Sequence, residues 1–378
     1  MNEMKILKKD IINYIKNSEN TNNNELLSEL EIIYEVKEDY QQYLIKNIID
    51  EYLKKKKDFD EVIKKRKQKL IKLKKLKLPE QRSPEWYSMR MKMVTASSLG
   101  SVIDKCHFQT RDELLLSKIE PQPFMPNPIT EWGVKYEDVA IMFYEELYKV
   151  KILDFGLIPH PDFNIFGASP DGICDDTGND EYVSRMVEIK CPPKRKFTKT
   201  VPPHYLMQVQ GQLEVCNLDE CDFFQVKLEE YDNFDDYCKD IFEIDGILEN
   251  GRTKLNYPKS VAATYKQNDS LSYKYCGLNK TNDEIQEWIQ NIEKENLFEI
   301  KYWRIERFEC TLVKRDYPWW IDNIDKISNF YNELIEYKND PILLEKLKEK
   351  IKNDSKRKRR VKQVDFEPFT LISDEEDN

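Results

Sequence analysis

Three charged residues in two short apolar stretches are the part of this sequence best suited to chemistry. Gly167-Ala168-Ser169-Pro170-Asp171-Gly172 puts an acid on a tight turn, and Val187-Glu188-Ile189-Lys190-Cys191-Pro192 puts an acid and a lysine two residues apart. Side chains at i and i+2 of a strand share a face, so Glu188 and Lys190 are expected to enter one pocket while Ile189 packs the other way. With the two stretches as neighbours, Asp171 faces that pocket too. Carboxylates gather Mg²⁺ or Mn²⁺, which lowers the pKa of bound water and, as a pair of ions about 3.5–4 Å apart, clamps the attacking and leaving oxygens of a phosphodiester. Asp171 and Glu188 are the expected ligands, with the Ile189 backbone carbonyl as a third. Lys190 is expected against the attacking water or the scissile phosphate, its charge supported by the acids. A surface turn acid and a cross-strand ion pair satisfy the same bare pattern. The Pro-Asp-Gly turn and the apolar Val187 and Ile189 keep a metal-dependent nuclease beside that plainer alternative.

The elements that must position these residues are legible from periodicity. Thr130 to Lys149 predicts a helix with Trp132, Tyr136, Val139, Ala140, Phe143 and Leu147 as its apolar stripe. Glu137 borders that stripe, and on periodicity alone it is a solvated neighbour. Strands are expected at Lys151–Ile158, Asn164–Gly167 and Tyr182–Lys190, with 175–181 as a polar hairpin tip whose carboxylates are only solvated. Pro202-Pro203 opens a helix from His204 to Cys216 that sets Gln208 and Gln212 one turn apart. A strand at Cys221–Glu229, an acidic helical stretch at Phe234–Glu249, a patternless insertion or loop at Asn250–Lys280, a helix at Asp283–Ile292, one or two strands in Lys301–Val313, and helices at Tyr317–Tyr337 and Pro341–Ile351 follow. Upstream, Ser83-Pro84 is a helix start with proline at the first helical position. Arg90 then closes one short helix, and Thr95 and Ser97 open another. Hydroxyls, helix-start N–H groups and a guanidinium together suit a terminal phosphate, although capping alone accounts for the Thr and the Ser.

The composition bounds the rest. The 378 residues carry a formal net charge of −10, with 40% hydrophobic and 34% charged residues, which suits a globular core with charged helical extensions and argues against a generally basic nucleic-acid coat. Charge is unevenly placed. From Lys54 to Lys77 there are 13 basic and 3 acidic residues, either a solvated, partly helical face or a phosphate-contacting arm. The tail holds Lys356-Arg357-Lys358-Arg359-Arg360 and ends in acids from Ser373 on; it is expected to be disordered. No apolar run of about 18 residues and no signal-peptide pattern occur, so a soluble intracellular protein without a membrane partner is expected. The eight cysteines form no C-x-x-C pair and the three histidines are far apart, which points to reduced thiols and away from a zinc or iron-sulfur site.

Several spaced blocks carry a family resemblance: Trp86…Met89-Arg90…Val94-Thr95-Ala96-Ser97, Glu131-Trp132-Gly133…Tyr136-Glu137, Ser169-Pro170-Asp171-Gly172, Glu188-Ile189-Lys190-Cys191-Pro192 and Tyr205…Gln208-Val209-Gln210, with a weaker echo at Val313-Lys314-Arg315-Asp316. Their types and order resemble the PD-(D/E)XK nuclease superfamily and, within it, the lambda exonuclease-like, YqaJ-type viral recombinase family. The resemblance implies an α/β fold, a restriction-endonuclease-like core with a mixed central sheet flanked by helices, here with a helical N-terminal extension. It implies a magnesium-dependent deoxyribonuclease degrading one strand of duplex DNA from its 5′ end with two Mg²⁺ or Mn²⁺ ions, in viral-type recombination, repair or genome processing. By the same likeness Asp171 and Glu188 are metal ligands, Lys190 the catalytic lysine, Glu137 a further acid near the metals, and Gln208 a supporting polar contact. Arg90, Thr95 and Ser97 stand where the family binds a 5′-phosphate, which overrides the plainer readings of Glu137 and Ser97. Double-stranded DNA ends are the implied partner; a single-strand annealing protein and a homo-oligomer are raised by the likeness alone. A viral source would set the compartment as host cytoplasm, viral factory or nucleus.

The domain organisation expected is a lysine-rich helical extension over 1–80, an exonuclease domain over 81–338 with an insertion around 250–300, and a charged helix and tail over 339–378. The competing functions are an endonuclease or junction resolvase of the same superfamily and a catalytically silent DNA-end-binding protein. The intact Asp171, Glu188 and Lys190 argue against the silent one. An iron-sulfur nuclease of the related RecB-like type would need a cysteine cluster that cannot be assembled here.

Overall fold

The structure, a computed structural model, describes residues 2–364 apart from 19, 21, 122–126, 195, 196, 198 and 269, with side chains described over 8–354. The acidic tail and the side chains of 356–360 lie outside the described residues. The chain divides into two compact units, Met1–Lys72 and the residues from Leu73 on. In the first, helices α1 (Asn2–Asn17), α2 (Asn23–Ile33) and the start of α3 (Asp39–Lys74) bury Ile11, Ile15, Leu26, Leu30, Ile45, Ile48 and Ile49 against one another. These residues recur at helical spacing, so each helix presents one apolar stripe to the other two. Asn22 caps α2 by accepting the N–H of Asn24 at 3.0 Å.

The second unit runs through α4 (Pro84–Lys92), β1 (Val94–Thr95), a 3₁₀ turn at Ala96–Ser98, α5 (Leu99–Val102), α6 (Arg111–Ile119) and α7 (Pro128–Tyr148). Strands β2 (Val150–Leu153), β3 (Ile158–Pro159), β4 (Phe166–Ala168), β5 (Gly172–Gly178) and β6 (Met186–Lys190) follow, then α8 (Pro203–Cys216) and β7 (Glu220–Glu230). After α9 (Phe234–Lys239) come β8 (Phe242–Ile244), β9 (Ile247–Glu249), β10 (Lys259–Gln267), β11 (Ser270–Tyr275), α10 (Asn282–Asn291), β12 (Leu297–Lys314), α11 (Tyr317–Asn339) and α12 (Pro341–Val364). Seven strands form the main sheet in the order β11-β10-β12-β7-β6-β5-β2, with β1-β4-β3 as a small second sheet. Among the described residues of the main sheet only β6 and β7 run parallel, and α8 makes the crossover between them, as a parallel pair requires. This is the restriction-endonuclease-like arrangement, a mixed sheet flanked by helices.

The core follows from the sequence stripes. Helix α7 sets Tyr136, Val139, Ala140, Phe143 and Tyr144 against Val187, Ile189, Phe224, Val226 and Leu228 of the sheet, and each fully buried large side chain there is worth roughly 1.5–3 kcal/mol. Two polar groups in this layer share one acid: Tyr144 Oη donates to Asp222 at 2.7 Å, and Arg185 Nη1 donates to the same carboxylate at 3.1 Å.

Three sequence expectations need correction. The patternless stretch 250–280 contains β10 and β11, which extend the main sheet. Lys259 to Tyr265 is buried throughout, so it lacks the in-out alternation of a half-exposed strand, and its small and polar residues hide it as a buried run. The acidic stretch 234–249 is helical only to Lys239; Asp245 and Gly246 both take positive φ, 50° and 78°, the two left-handed positions of a tight hairpin turn between β8 and β9. The carboxylates of Asp175 and Asp176 are not merely solvated, since Lys74 pairs with both. In addition, 297–314 is a single long strand whose register shift between Ile305 and Arg307 interrupts its alternation, and the span 151–158 is split between β2 and β3.

Candidate active site

Strand pairing brings the opening residues together. Gly172 lies opposite Val187, so Asp171, one step before β5, comes alongside β6, where its Oδ2 accepts the Ile189 N–H at 2.7 Å. Glu188 and Lys190 share a face of β6: Lys190 Nζ donates to Glu188 Oε1 and lies 3.9 Å from Asp171 Oδ2. Ile189 points the other way, into the core under α7. Glu188 is fully buried, and an acid there must be paired and hydrogen-bonded. Helix α8 supplies the partners. Gln208 Nε2 donates to Glu188 Oε1 and Gln212 Nε2 to Oε2, both at 2.7 Å. Gln212 is absent from the sequence-derived site, although its place one turn after Gln208 was the signal that could have found it.

Glu137 reaches this group from α7. It pairs with Arg82 at 3.3 Å and its side chain is 27% exposed. Burial raises its pKa, against the pull of Arg82 and Lys190 and with the push of Asp138 and Glu188. Periodicity alone had made it a solvated neighbour; the structure turns it toward Lys190 and Glu188. Burial likewise lifts Asp171 well above the ordinary aspartate value, with Glu188 and Glu137 adding repulsion and Lys190 and the Ile189 N–H opposing. For Lys190, burial works against the charged form, but Glu188 and Asp171 outweigh it and raise the pKa. Its ammonium also lies 5.1 Å from the Tyr205 ring centroid.

The donor set suits a hard cation, though among the described residues no three carboxylate, histidine or cysteine groups form a ready-made cage. A carboxylate offers about four lone-pair sites. Lys190 and Gln208 take those of Glu188 Oε1, and Gln212 takes one on Oε2, which leaves one, while Asp171 Oδ1 accepts from no described group. Mg²⁺ keeps several waters and needs only one or two protein carboxylates besides substrate phosphate, so the residues present fit it. Asp171 and Glu137 line an open cleft of ≈ 340 Å³ together with Arg82, Asp138 and Asp154.

A second polar group lies at the end of α4. Arg90 Nη2 donates to Ser97 Oγ at 3.0 Å, and Thr95 Oγ1 lies 3.2 Å from the same hydroxyl. The guanidinium stacks over Trp86 at 4.4 Å, and Trp86 Nε1 donates to Ser169 Oγ at 3.0 Å, which ties this group to the turn carrying Asp171. Burial lowers the Arg90 pKa. Lys118 Nζ donates to the backbone carbonyls of Arg90 and Met93 at 3.0 and 2.8 Å, closing the C-terminal end of α4. Burial, then the charge of Arg90, pushes Lys118 down to about 8. Sequence reasoning missed Lys118; its position on the same face of α6 as the buried Leu114 and Leu115 was the available signal.

The mixed sheet carries an acid on the turn before β5 and an acid and a lysine on β6, the arrangement that the resemblance to the PD-(D/E)XK class implies. Residues 85–219 match the YqaJ-like viral recombinase domain. An uncharacterised protein of Acanthamoeba polyphaga mimivirus is 31% identical over 318 residues, 75% of this chain and 58% of that protein. A protein of African swine fever virus is 26% identical over 160 residues, 36% of this chain and 46% of that protein. The chain thus spans about half the length of these curated relatives. Among solved structures, an alkaline exonuclease from Laribacter hongkongensis is similar over 72% of this chain and 99% of its own, at 21% identity and a TM-score of 0.41. A phage-related exonuclease from Haemophilus somnus is similar over 65% of this chain and 93% of its own, at 14% identity and a TM-score of 0.33.

Proposed function

We propose that the protein is a metal-dependent deoxyribonuclease that degrades one strand of linear duplex DNA from a 5′ end. The observation that carries this reading is the convergence of the Asp171, Glu188 and Lys190 side chains, with Gln208 and Gln212 holding the buried acid in place. Asp171, Glu188 and the Ile189 carbonyl would hold Mg²⁺ or Mn²⁺, with Glu137 as a further acid; the ions supply an activated water and charge neutralisation at the phosphoryl group. Lys190, whose charged form Glu188 and Asp171 favour, would neutralise the scissile phosphate and orient the attacking water. Gln208 and Gln212 hold Glu188 fixed in direction. Arg90, with Ser97 and Thr95, binds a terminal 5′-phosphate by charge-assisted hydrogen bonds, and Lys118 positions Arg90 through its backbone. In this reading residues 81–338 are the nuclease and the N-terminal helices an appendage.

The test uses end-labelled linear duplexes with and without a 5′-phosphate, in Mg²⁺ and in EDTA, alongside closed circular DNA. Expected are loss of cleavage in EDTA and in Asp171→Ala and Lys190→Ala, preference for phosphorylated ends, and intact circles. Activity in EDTA sinks the metal mechanism, cutting of circles sinks the exonuclease assignment, and an unchanged end preference in Arg90→Ala sinks the phosphate pocket alone.

A further inference from the structure

We propose that Arg82 is a further substrate-binding residue of this site, its guanidinium gripping a phosphate of the strand that enters the cleft. The assignment rests on the nuclease reading for its substrate. The cleft beside Asp171 is lined by the acids Glu80, Glu137, Asp138, Asp154 and Asp171, and among the described residues lining it Arg82 alone is basic. A phosphodiester is repelled by such a wall, so a fixed cation within it acts where the repulsion is strongest. Arg82 gives one donor, Nη2, to Glu137 at 3.3 Å, and its side chain is 52% exposed. A guanidinium carries five N–H donors in a planar fork that matches phosphate, which leaves most of the fork for an incoming oxyanion.

The backbone singles out the same residue. The Ser83 N–H returns to Glu80 O at 3.2 Å, closing a β-turn with Gln81 and Arg82 at its centre, and Arg82 takes a φ of 65°. A positive φ at the second central position belongs to a type II turn, where glycine fits without penalty. For an arginine the conformation is strained, and strained residues persist where the surrounding structure over-determines them. Both flanks do so here. Gln81 Nε2 donates to Asp154 Oδ1, Phe155 O and Pro170 O at 3.1, 2.9 and 3.2 Å, and Pro170 precedes Asp171. Ser83 Oγ accepts the Trp86 N–H at 3.2 Å and starts α4, the helix that carries Arg90. The turn is thus tied to the segment holding Asp171 on one side and to α4 on the other, and it presents its strained residue to the acids of the cleft. A turn serving chain reversal alone would be easier with glycine; the arginine adds a charge and a fork of donors.

The experiment compares the full chain with Arg82→Gly, which suits the turn, and Arg82→Lys, which keeps both the charge and the strained backbone. Melting temperature is measured, along with Mn²⁺ affinity by calorimetry without DNA. Affinity and kcat/KM for a 5′-phosphorylated duplex are then measured at saturating Mn²⁺, binding being followed on a duplex whose phosphorothioate linkages resist cleavage. Arg82→Gly should melt close to wild type, the relieved φ offsetting the lost ion pair. Its Mn²⁺ affinity should be undiminished, because a positive neighbour of the acids is gone. Its duplex affinity and kcat/KM should each fall by about 10- to 100-fold, as for a lost hydrogen bond to a charged group, and Arg82→Lys should recover part of that loss. Unchanged duplex affinity and kcat/KM in Arg82→Gly overturn the assignment. So does a cleavage deficit that accompanies weakened Mn²⁺ binding and vanishes at saturating Mn²⁺, since Arg82 would then only orient Glu137. A wild type that binds the duplex more tightly than Arg82→Gly yet cleaves nothing refutes the nuclease reading and leaves Arg82 a phosphate contact.

Discussion

Asp171→Asn isolates the electrostatic load of the site. The wild-type carboxyl is largely withdrawn from water and faces Glu188 and Glu137, and these raise its pKa in spite of Lys190 and the Ile189 N–H. A group whose folded pKa lies above its unfolded value, about 3.9 for aspartate, contributes its stability in full only below the unfolded pKa. That contribution is lost as pH rises through the folded pKa. Without metal, Asp171 is therefore a growing burden as pH rises. Asparagine has nearly the same shape, and its side-chain oxygen can still accept the Ile189 N–H that Oδ2 holds at 2.7 Å. The attraction of Lys190 at 3.9 Å is already counted in the net direction of the shift. Removing one partner of a buried pair is costly where it leaves the other charge uncompensated, but Lys190 keeps Glu188 as its partner, so relief of the repulsion among the acids sets the sign. The 21% exposure of the Asp171 side chain keeps the gain small, on the order of 1 kcal/mol, or about 2–4 °C in Tm for a unit of this size. Calorimetric melts in EDTA at pH 4, 6 and 8 should show the variant melting above wild type at pH 8 and the gap closing toward pH 4. Mg²⁺ at 100 times its Kd should then add about 2.7 kcal/mol to the wild type alone, reversing the order while the variant stays inactive. A variant that melts below wild type in EDTA at pH 8 refutes the reasoning, because Asp171 would then be a net stabilising partner of Lys190.

Gly211→Ala places a Cβ 2.5 Å from Leu99 Cδ1, 3.1 Å from Phe166 Cζ and 3.2 Å from Ala96 Cβ; overpacking should cost about 1–3 kcal/mol in urea melts and weaken the preference for 5′-phosphorylated ends. Gln212→Leu strips Glu188 Oε2 of its donor and should cost ~1–3 kcal/mol with a drop in cleavage rate, while Gln212→Glu adds a second buried acid and should do worse on both counts. Lys118→Met removes an ammonium whose pKa is depressed to about 8. A depressed folded pKa means stability that is present above the unfolded value, about 10.4, and lost as pH falls through 8. Chemical denaturation should accordingly show wild type gaining ~2–3 kcal/mol on the methionine variant between pH 7 and 10.5.

What could be read from the sequence was whatever depends on local pattern. The i and i+2 placement of Glu188 and Lys190, the apolar stripe of α7, the Ser83-Pro84 start of α4 and the Gln208–Gln212 spacing each fix a local direction, and the structure brings those residues together. What could not be read depends on partners far along the chain. Glu137 looks solvated on its own helix; only the approach of β6 and Arg82 makes its setting. Lys118 looks like a surface lysine until the end of α4, some 25 residues earlier in the chain, offers it two carbonyls. The strand β10 is buried on both sides, and burial on both sides erases the period on which strand recognition relies. Lys74 and its two acids are separated by about a hundred residues, beyond any local window.

Helix α8 links the two polar groups, and this constrains how they could work together. One side holds Glu188 through Gln208 and Gln212. Gly211, between those turns, admits Ala96, Leu99 and Phe166 to contact distance, which seats the segment carrying Thr95 and Ser97. Gln210 fixes the helix from a further side, donating to Lys314 O at 2.9 Å and accepting the Asp316 N–H at 2.7 Å. The helix therefore cannot shift toward one group without leaving the other. Under the proposed reading, the separation between the bound 5′-phosphate and the scissile bond is set by the width of this one helix and its contacts. Substitutions that move α8 should change the length of the product released, whereas substitutions at Arg90 should change only the choice of end.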